Sequence, residues 1–256
     1  IRISLLKDSV MNLVLIHLTN MEANSLVPKL RFKDKDFKNF PDYSFIPLNE
    51  LFEKSGIKNK ENKIKSVLTN SASKGIINQN EYFDRDIVNE NNLRGYYVVD
   101  INDFIYNPRI SKEAPVGPLK RNKLRLGIMS PLYTVLKPKK GNLEFLEHYF
   151  DSTRWHKYMK SIANYGARHD RMNITTKGFE NLPIPFPSQT EQNKIASFLT
   201  SVDKKINLLA KKKALLESYK KGVMQKIFSQ EIRFKDEDGK NYPDWEEKKL
   251  GDVGEL

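Results

Sequence analysis

Cysteine is absent from the 256-residue sequence, which excludes a disulfide framework, a thiolate zinc site and a cysteine nucleophile. Long apolar runs are absent as well. The best candidate, VMNLVLIHL at 10–18, is short and interrupted by Asn12 and His17, so neither a secretory leader nor a membrane span of about 18 residues is expected, and the cytoplasm is the expected compartment. Leu5, Leu6, Val10, Val14 and Leu18 instead suit a short amphipathic helix. With Met21 as a natural start, residues 1–25 read as an N-terminal extension. The four histidines, His17, His148, His156 and His169, show no metal-ligand spacing, and no metal site is expected.

Catalytic constellations are scarce too. No glycine-rich loop follows a first strand to cradle a nucleotide-like cofactor, so none is expected. Asn107-Pro108-Arg109 lacks the second proline and the aromatic of the Asn-Pro-Pro-aromatic motif of amino methyltransferases. Glu246, Glu247 and Lys248 follow Pro243-Asp244 as one local cluster, whereas a nuclease site needs carboxylates converging on a metal from separate elements. No catalytic residue is therefore assigned.

Positive charge is what the sequence has in excess. Forty-four Lys and Arg against thirty-two Asp and Glu give a formal charge of +12, which favours a polyanionic partner, nucleic acid first. With 39% hydrophobic and 11% aromatic residues the chain has ample material for a globular core. Basic and amide side chains gather on two loops. One carries Asn107, Arg109, Lys120, Arg121 and Arg125; the other, NYGARHDRMN at 164–173, carries Tyr165, Arg168 and Arg171 beside Gly166, where a backbone can approach a ligand closely. Arginine reads guanine edges and asparagine adenine, while lysine chiefly neutralises phosphate. The stretches 104–125 and 164–173 are accordingly the expected reading surface on double-stranded DNA.

The chain also repeats itself. RFKDKDFKNFPDY at 31–43 returns without a gap as RFKDEDGKNYPDW at 233–245, a separation too long for a solenoid unit and suited to a duplicated domain. Between the copies, GYYVVDI at 95–101 and LGIMSPLYTVL at 126–136 predict strands. NPRISKEAPVGPLKRNK at 107–123, with three prolines and a glycine, predicts a long exposed loop, and LEFLEHYFDSTRWHKYMKSIA at 143–163 a single helix. Pro183, Pro185 and Pro187 predict an extended connector, after which Thr190 is placed to cap a helix from Glu191 to Phe228, roughly 55 to 60 Å long. Ile195, Val202, Leu209, Leu216 and Val223 fall on one heptad track, with Leu199, Ile206 and Ile227 on the second. That is an a/d seam over about five heptads, weakened where Lys213 and Lys220 take the second track. Such a seam demands another helix. The lysines of KKK at 211–213 and YKK at 219–221 read as solvated faces.

Taken together, NLPIPFPSQTEQNKIASFLTSVDKKINLL, YKKGVMQKIF and RFKDEDGKNYPDWEEKKLGD, with YNPR, GIMSPLY and YGARHDRMNIT, resemble the specificity subunits of type I restriction-modification systems over about residues 26–256. In that family a proline-rich connector and an EQ-x-x-I-x-x-F-L helix start follow each target-recognition domain. The resemblance implies a non-catalytic subunit whose two recognition domains, held apart by two antiparallel helices, each read half of a split DNA target. It also implies modification methyltransferase and restriction subunits as partners. This sequence carries one such domain and one such helix. The expected fold is α+β: an N-terminal extension at 1–25, a mixed α/β target-recognition domain at 26–187, a long coiled-coil-type helix at 188–230 and the start of a second repeat at 231–256. The unpaired seam predicts a homodimer through that helix, with no membrane partner. A stand-alone DNA nuclease or methyltransferase, or a coiled-coil assembly protein, are the other readings.

Overall fold

A computed structural model describes residues 31–79, 90–164 and 170–254. The extension at 1–25, with the helix expected there, and the candidates Tyr165 and Arg168 lie outside the described residues. The strands are β1 (Ser44–Pro47), β2 (Phe52–Ser55), β3 (Leu68–Ser71), β4 (Gly75–Asn78), β5 (Tyr97–Val99), β6 (Phe104–Tyr106), β7 (Leu119–Arg121), β8 (Gly127–Met129), β9 (Thr134–Pro138) and β10 (Pro183–Phe186). The helices are α1 (Leu48–Leu51), α2 (Leu143–Asp151), α3 (His156–Ile162), α4 (Thr176–Glu180) and α5 (Gln189–Phe228). Two compact units divide after Thr200.

The first unit is organised by β6. Successive strand residues point to opposite faces, and here both faces are buried: Phe104 and Tyr106 enter one core with Phe150, Trp155 and Met159, while Ile105 enters a second with Leu68, Val99 and Met129. This is why Phe-Ile-Tyr is apolar without alternation. Around it an antiparallel sheet runs in the order β2-β9-β6-β7, and β3-β4 and β5-β8 form two further antiparallel pairs. The mixed α/β domain followed by a long helix is the fold class expected.

Three local expectations change. The stretch 107–123 is no long exposed loop: Val116 is fully buried, and Leu119–Arg121 returns as β7 against β6. The helix expected over 143–163 is two, α2 and α3, because Ser152 adopts an extended backbone and its Oγ donates to Tyr149 O at 2.6 Å, a side-chain bond that competes with helix propagation. The proline connector forms β10, paired antiparallel with β1. In a two-stranded sheet the proline nitrogens can face outward, where no ladder hydrogen bond is lost. Helix α5 then starts at Gln189, earlier than expected; Ser188 rather than Thr190 precedes its first turn and accepts from Glu191 N at 3.4 Å.

The first copy of the repeat grips this helix start. Arg31 donates Nε to Glu191 Oε1 at 2.9 Å and Nη2 to Oε2 at 2.7 Å, with 7% and 1% of the two side chains exposed. Tyr43 donates its hydroxyl to Glu191 Oε1 at 3.3 Å and lies under the Arg31 guanidinium. Burial, then the Glu191 charge, push the Tyr43 phenol up to about 12 from an ordinary 10.0. A pKa raised on folding contributes stability below the unfolded value that is lost as pH rises through the folded one. Wild-type stability should therefore fall between about pH 10 and 12, and Tyr43→Phe should flatten that part of the profile in denaturant titrations at stepped pH. An unchanged slope would show that Tyr43 is not coupled to folding.

In the second unit, α5 exposes every residue from Ser201 to Lys221. Among its seam positions Val202, Ile206, Leu209 and Leu216 are exposed, while Val223 and Ile227 are half-buried. At the other end of the seam, in the first unit, Leu199 is half-buried and Ile195 packs against the main core. Beyond the helix, Trp245 meets Phe228 edge-on and Arg233 pairs with Asp244.

Candidate functional site

Asn107 anchors the first of the two loops. Its backbone N–H donates to Pro118 O at 2.9 Å, its Oδ1 accepts from Arg109 N at 3.0 Å and its Nδ2 donates to Asn70 O at 3.3 Å. The chain can turn this tightly because Gly117 sits opposite at φ +81; a Cβ there would lie 2.1 Å from Asn107 O. Gly117→Ala should therefore displace Asn107 and lower the melting temperature, with a cost above about 1 kcal/mol, since alanine at positive φ adds backbone strain to the clash. An unchanged melting curve would contradict that geometry.

The second loop is tied to the first by backbone. Ile110 N donates to Asp170 O at 3.0 Å and Met172 N to Pro108 O at 2.9 Å, so Arg109 and Arg171 form an antiparallel bridge. Two stretches some sixty residues apart thus become one surface. Ser130, Leu132 and Tyr133 close its third side, and with Asn107, Arg109 and Arg171 they line a cleft of about 110 Å³. Tyr133 is steadied by a 3.1 Å bond to Thr69 Oγ1, while Leu132 is 55% exposed.

The electrostatics leave this surface positive. Arg109 and Arg171 share one carboxylate, Asp170, at 3.8 and 3.6 Å, and Arg109 and Asp170 are more than half exposed. Solvent-exposed pairs of this kind hold their partners weakly. Two guanidiniums against one carboxylate leave a net cation beside an amide, a hydroxyl and an exposed apolar side chain, a set able to meet phosphate and base edges.

The other candidates are placed differently. Arg121 is 10% exposed and spent on scaffold: it donates to Asn102 Oδ1 at 2.9 and 2.6 Å and pairs with Glu144 and Glu147 of α2 at 3.1 and 3.4 Å. As a base reader it needs correction, because reaching DNA would break those bonds. Lys120 is bound to Asp151 at 2.5 Å, and Arg125 to Asn78. Neither lines the cleft. Sequence reasoning missed Ser130, Leu132 and Tyr133 as lining of this cleft; the signal available was the Ser-Pro turn inside the stretch 126–136 expected as strand, which the structure divides into β8 and β9. Among the described residues no helix is long and apolar enough to cross a membrane, and no group of three or more His, Asp or Glu converges as a metal site.

A family model described as "Type I restriction modification DNA specificity domain" matches residues 40–218. The chain belongs to this family. It is 28% identical over 238 residues to the provisionally named type I restriction enzyme MjaX specificity subunit of Methanocaldococcus jannaschii, a match covering 86% of this chain and 55% of that one. It is 31% identical over 136 residues to the type I restriction enzyme MjaVIII specificity subunit of the same organism, covering 51% of this chain and 31% of that one. A crystal structure of the type I restriction-modification system S subunit from M. genitalium matches 78% of this chain and 49% of its own, with a TM-score of 0.49 and 16% identity. The chain thus spans about half the length of the MjaX relative.

Proposed function

We propose that this chain is a non-catalytic DNA-recognition unit of a type I restriction-modification complex, reading a half-site through the surface formed by Asn107, Arg109 and Arg171 with Ser130, Leu132 and Tyr133. The observation that supports it is the backbone pairing of 107–110 with 170–172, which unites the two predicted reading loops. In this reading residues 26–187 are the recognition domain, 188–230 the spacer helix and 231–256 the start of a second repeat, and the chain acts in the cytoplasm. Tyr165 and Arg168, in the same stretch of sequence (164–173) as Arg171, are further candidates for DNA contact. The test is to map methylated sites in DNA after co-expression with the cognate modification subunit. A single recurring half-site is expected; methylation without sequence preference would refute the reading.

The long helix supports an assembly role. Leaving Val202, Ile206, Leu209 and Leu216 in water forgoes on the order of 1.5 to 3 kcal/mol per side chain relative to burial, which favours a covering helix. That helix is the same one from a second chain, antiparallel about a two-fold axis, or a modification subunit docked on the seam. Two identical readers would then prefer an inverted repeat. Sedimentation at micromolar concentration should show a dimer that Leu209→Asp dissociates. A dimer unaffected by Leu209→Asp would move the interface elsewhere, and a monomer at every concentration would leave the modification subunit as the seam's partner.

A further inference from the structure

Strand β3 is polar where a buried strand is ordinarily apolar. Thr69, Asn70 and Ser71 are 7%, 4% and 4% exposed, and polar groups withdrawn from water to that degree cost stability unless each finds a partner. Ser71 finds one in the turn that follows, its Oγ accepting from Lys74 N at 3.3 Å. The side-chain bonds of Thr69 and Asn70 run instead to partners 64, 35 and 48 positions away. They lead to the cleft.

Successive strand residues point to opposite faces, so these two side chains diverge. On one face Thr69 Oγ1 and the Tyr133 hydroxyl share a hydrogen bond at 3.1 Å. On the other the Asn70 amide donates to Ile105 O at 2.7 Å and Pro118 O at 3.2 Å, while Asn70 O accepts from Asn107 Nδ2 at 3.3 Å. Pro118 O also takes the Asn107 backbone N–H at 2.9 Å. Asn70 and Asn107 are thus joined twice, once directly and once through that carbonyl. Because both acceptors of the Asn70 amide are carbonyls, only its NH₂ group can face them, which fixes the orientation of the side chain.

Tyr133 and Asn107 both line the cleft, and Asn107 Oδ1 in turn accepts from Arg109 N. Two walls that come from loops distant in sequence are therefore referenced to residues one peptide bond apart. A single neutral hydrogen bond shifts an equilibrium by about two- to tenfold. That is too little to hold a domain together, but enough to select one placement of a half-buried tyrosine ring.

We propose that Thr69, too buried to touch DNA itself, is a positioning residue for sequence reading: resting on the cleft as the DNA surface, it sets Tyr133 against the Asn107–Arg109 wall through the strand that Asn70 locks to that wall.

The test measures binding of the intact chain to the cognate duplex and to duplexes changed at one base pair at a time across the half-site. Thr69→Val keeps the shape of the side chain and removes its hydroxyl. It should lower discrimination by about two- to tenfold at one base pair, the same pair at which Tyr133→Phe relaxes it. The double variant should be no worse than the poorer single, since both changes remove one bond. Thr69→Ser keeps the hydroxyl and should retain discrimination. Ser71→Ala should retain it too, because that buried hydroxyl bonds within its own turn. Discrimination unchanged in Thr69→Val but lost in Arg171→Ala would overturn the positioning role and leave the cleft as the reading surface. An even loss at every base pair, shared by Ser71→Ala, would overturn it as well, reducing β3 to scaffold. If Arg109→Ala, Arg171→Ala and Thr69→Val all leave discrimination unchanged, the reading surface itself falls and the role of Thr69 falls with it.

Discussion

Glu191→Ala is expected to destabilise the first unit by about 3 to 5 kcal/mol, the cost of leaving one charge of a buried pair without its partner. The Arg31 side chain is 7% exposed, and its remaining carboxylate neighbour, Asp42, lies 3.6 Å away and is 79% exposed. Arg31→Ala should cost a similar amount by stranding Glu191, whose carboxylate would keep, among the described residues, only the 3.3 Å bond from Tyr43. The pair clamps the first described residues to the start of α5, so its loss frees a segment as well as a charge. Replacing both partners by apolar residues, Arg31→Met with Glu191→Leu, should recover most of the loss, because the desolvation cost of the ions disappears with them. Urea denaturation followed by the buried Trp155 measures all four proteins. Single variants within about 1 kcal/mol of wild type would show that the pair is solvated in solution.

Loss of DNA reading is the second large effect expected. Arg171→Ala and Arg109→Ala should each weaken specific binding by about 1 to 3 kcal/mol where the guanidinium meets a base edge, and relax preference at one position of the site. An arginine on phosphate would behave differently, lowering affinity evenly across sequences and reducing the salt slope by about one. Affinity measured against salt on cognate and scrambled duplexes separates the two. Arg121→Ala supplies the contrast: it removes the donor to Asn102 Oδ1 and the cation beside Glu144 and Glu147, the latter keeping Lys123 at 2.6 Å, so it should lower stability while leaving sequence preference intact. If Arg109 and Arg171 can both be removed without change in affinity or preference, the cleft is not the reading surface.

What sequence alone could show follows from the range of the forces involved. The α5 seam, the strands around Val98, Ile128 and Val135 and the repeat of 31–43 at 233–245 were legible, because heptad spacing, β-branched runs and turn residues act over a few positions. The break at Ser152 was less so; a serine-threonine pair inside a helical pattern is a weak signal until its side chain finds Tyr149 O. Val116 read as loop because nothing local reveals that β7 returns to pair with β6 and carries its approach into the core.

The division is sharpest for charge. Sequence by itself determined a basic, cysteine-free chain with one long amphipathic helix, a duplicated Arg-Phe-Lys-Asp element and arginines on two loops, since these are properties of composition and short-range spacing. Only tertiary structure decided what each arginine does. Arg31 is spent on Glu191 and Arg121 on Glu144 and Glu147, partners 160, 23 and 26 positions away, whereas Arg109 and Arg171 are brought side by side and left half-satisfied on one carboxylate. A guanidinium's role depends on which acceptors lie within a few ångströms and on how much water surrounds them. Both are set by the folded path of the chain rather than by its order.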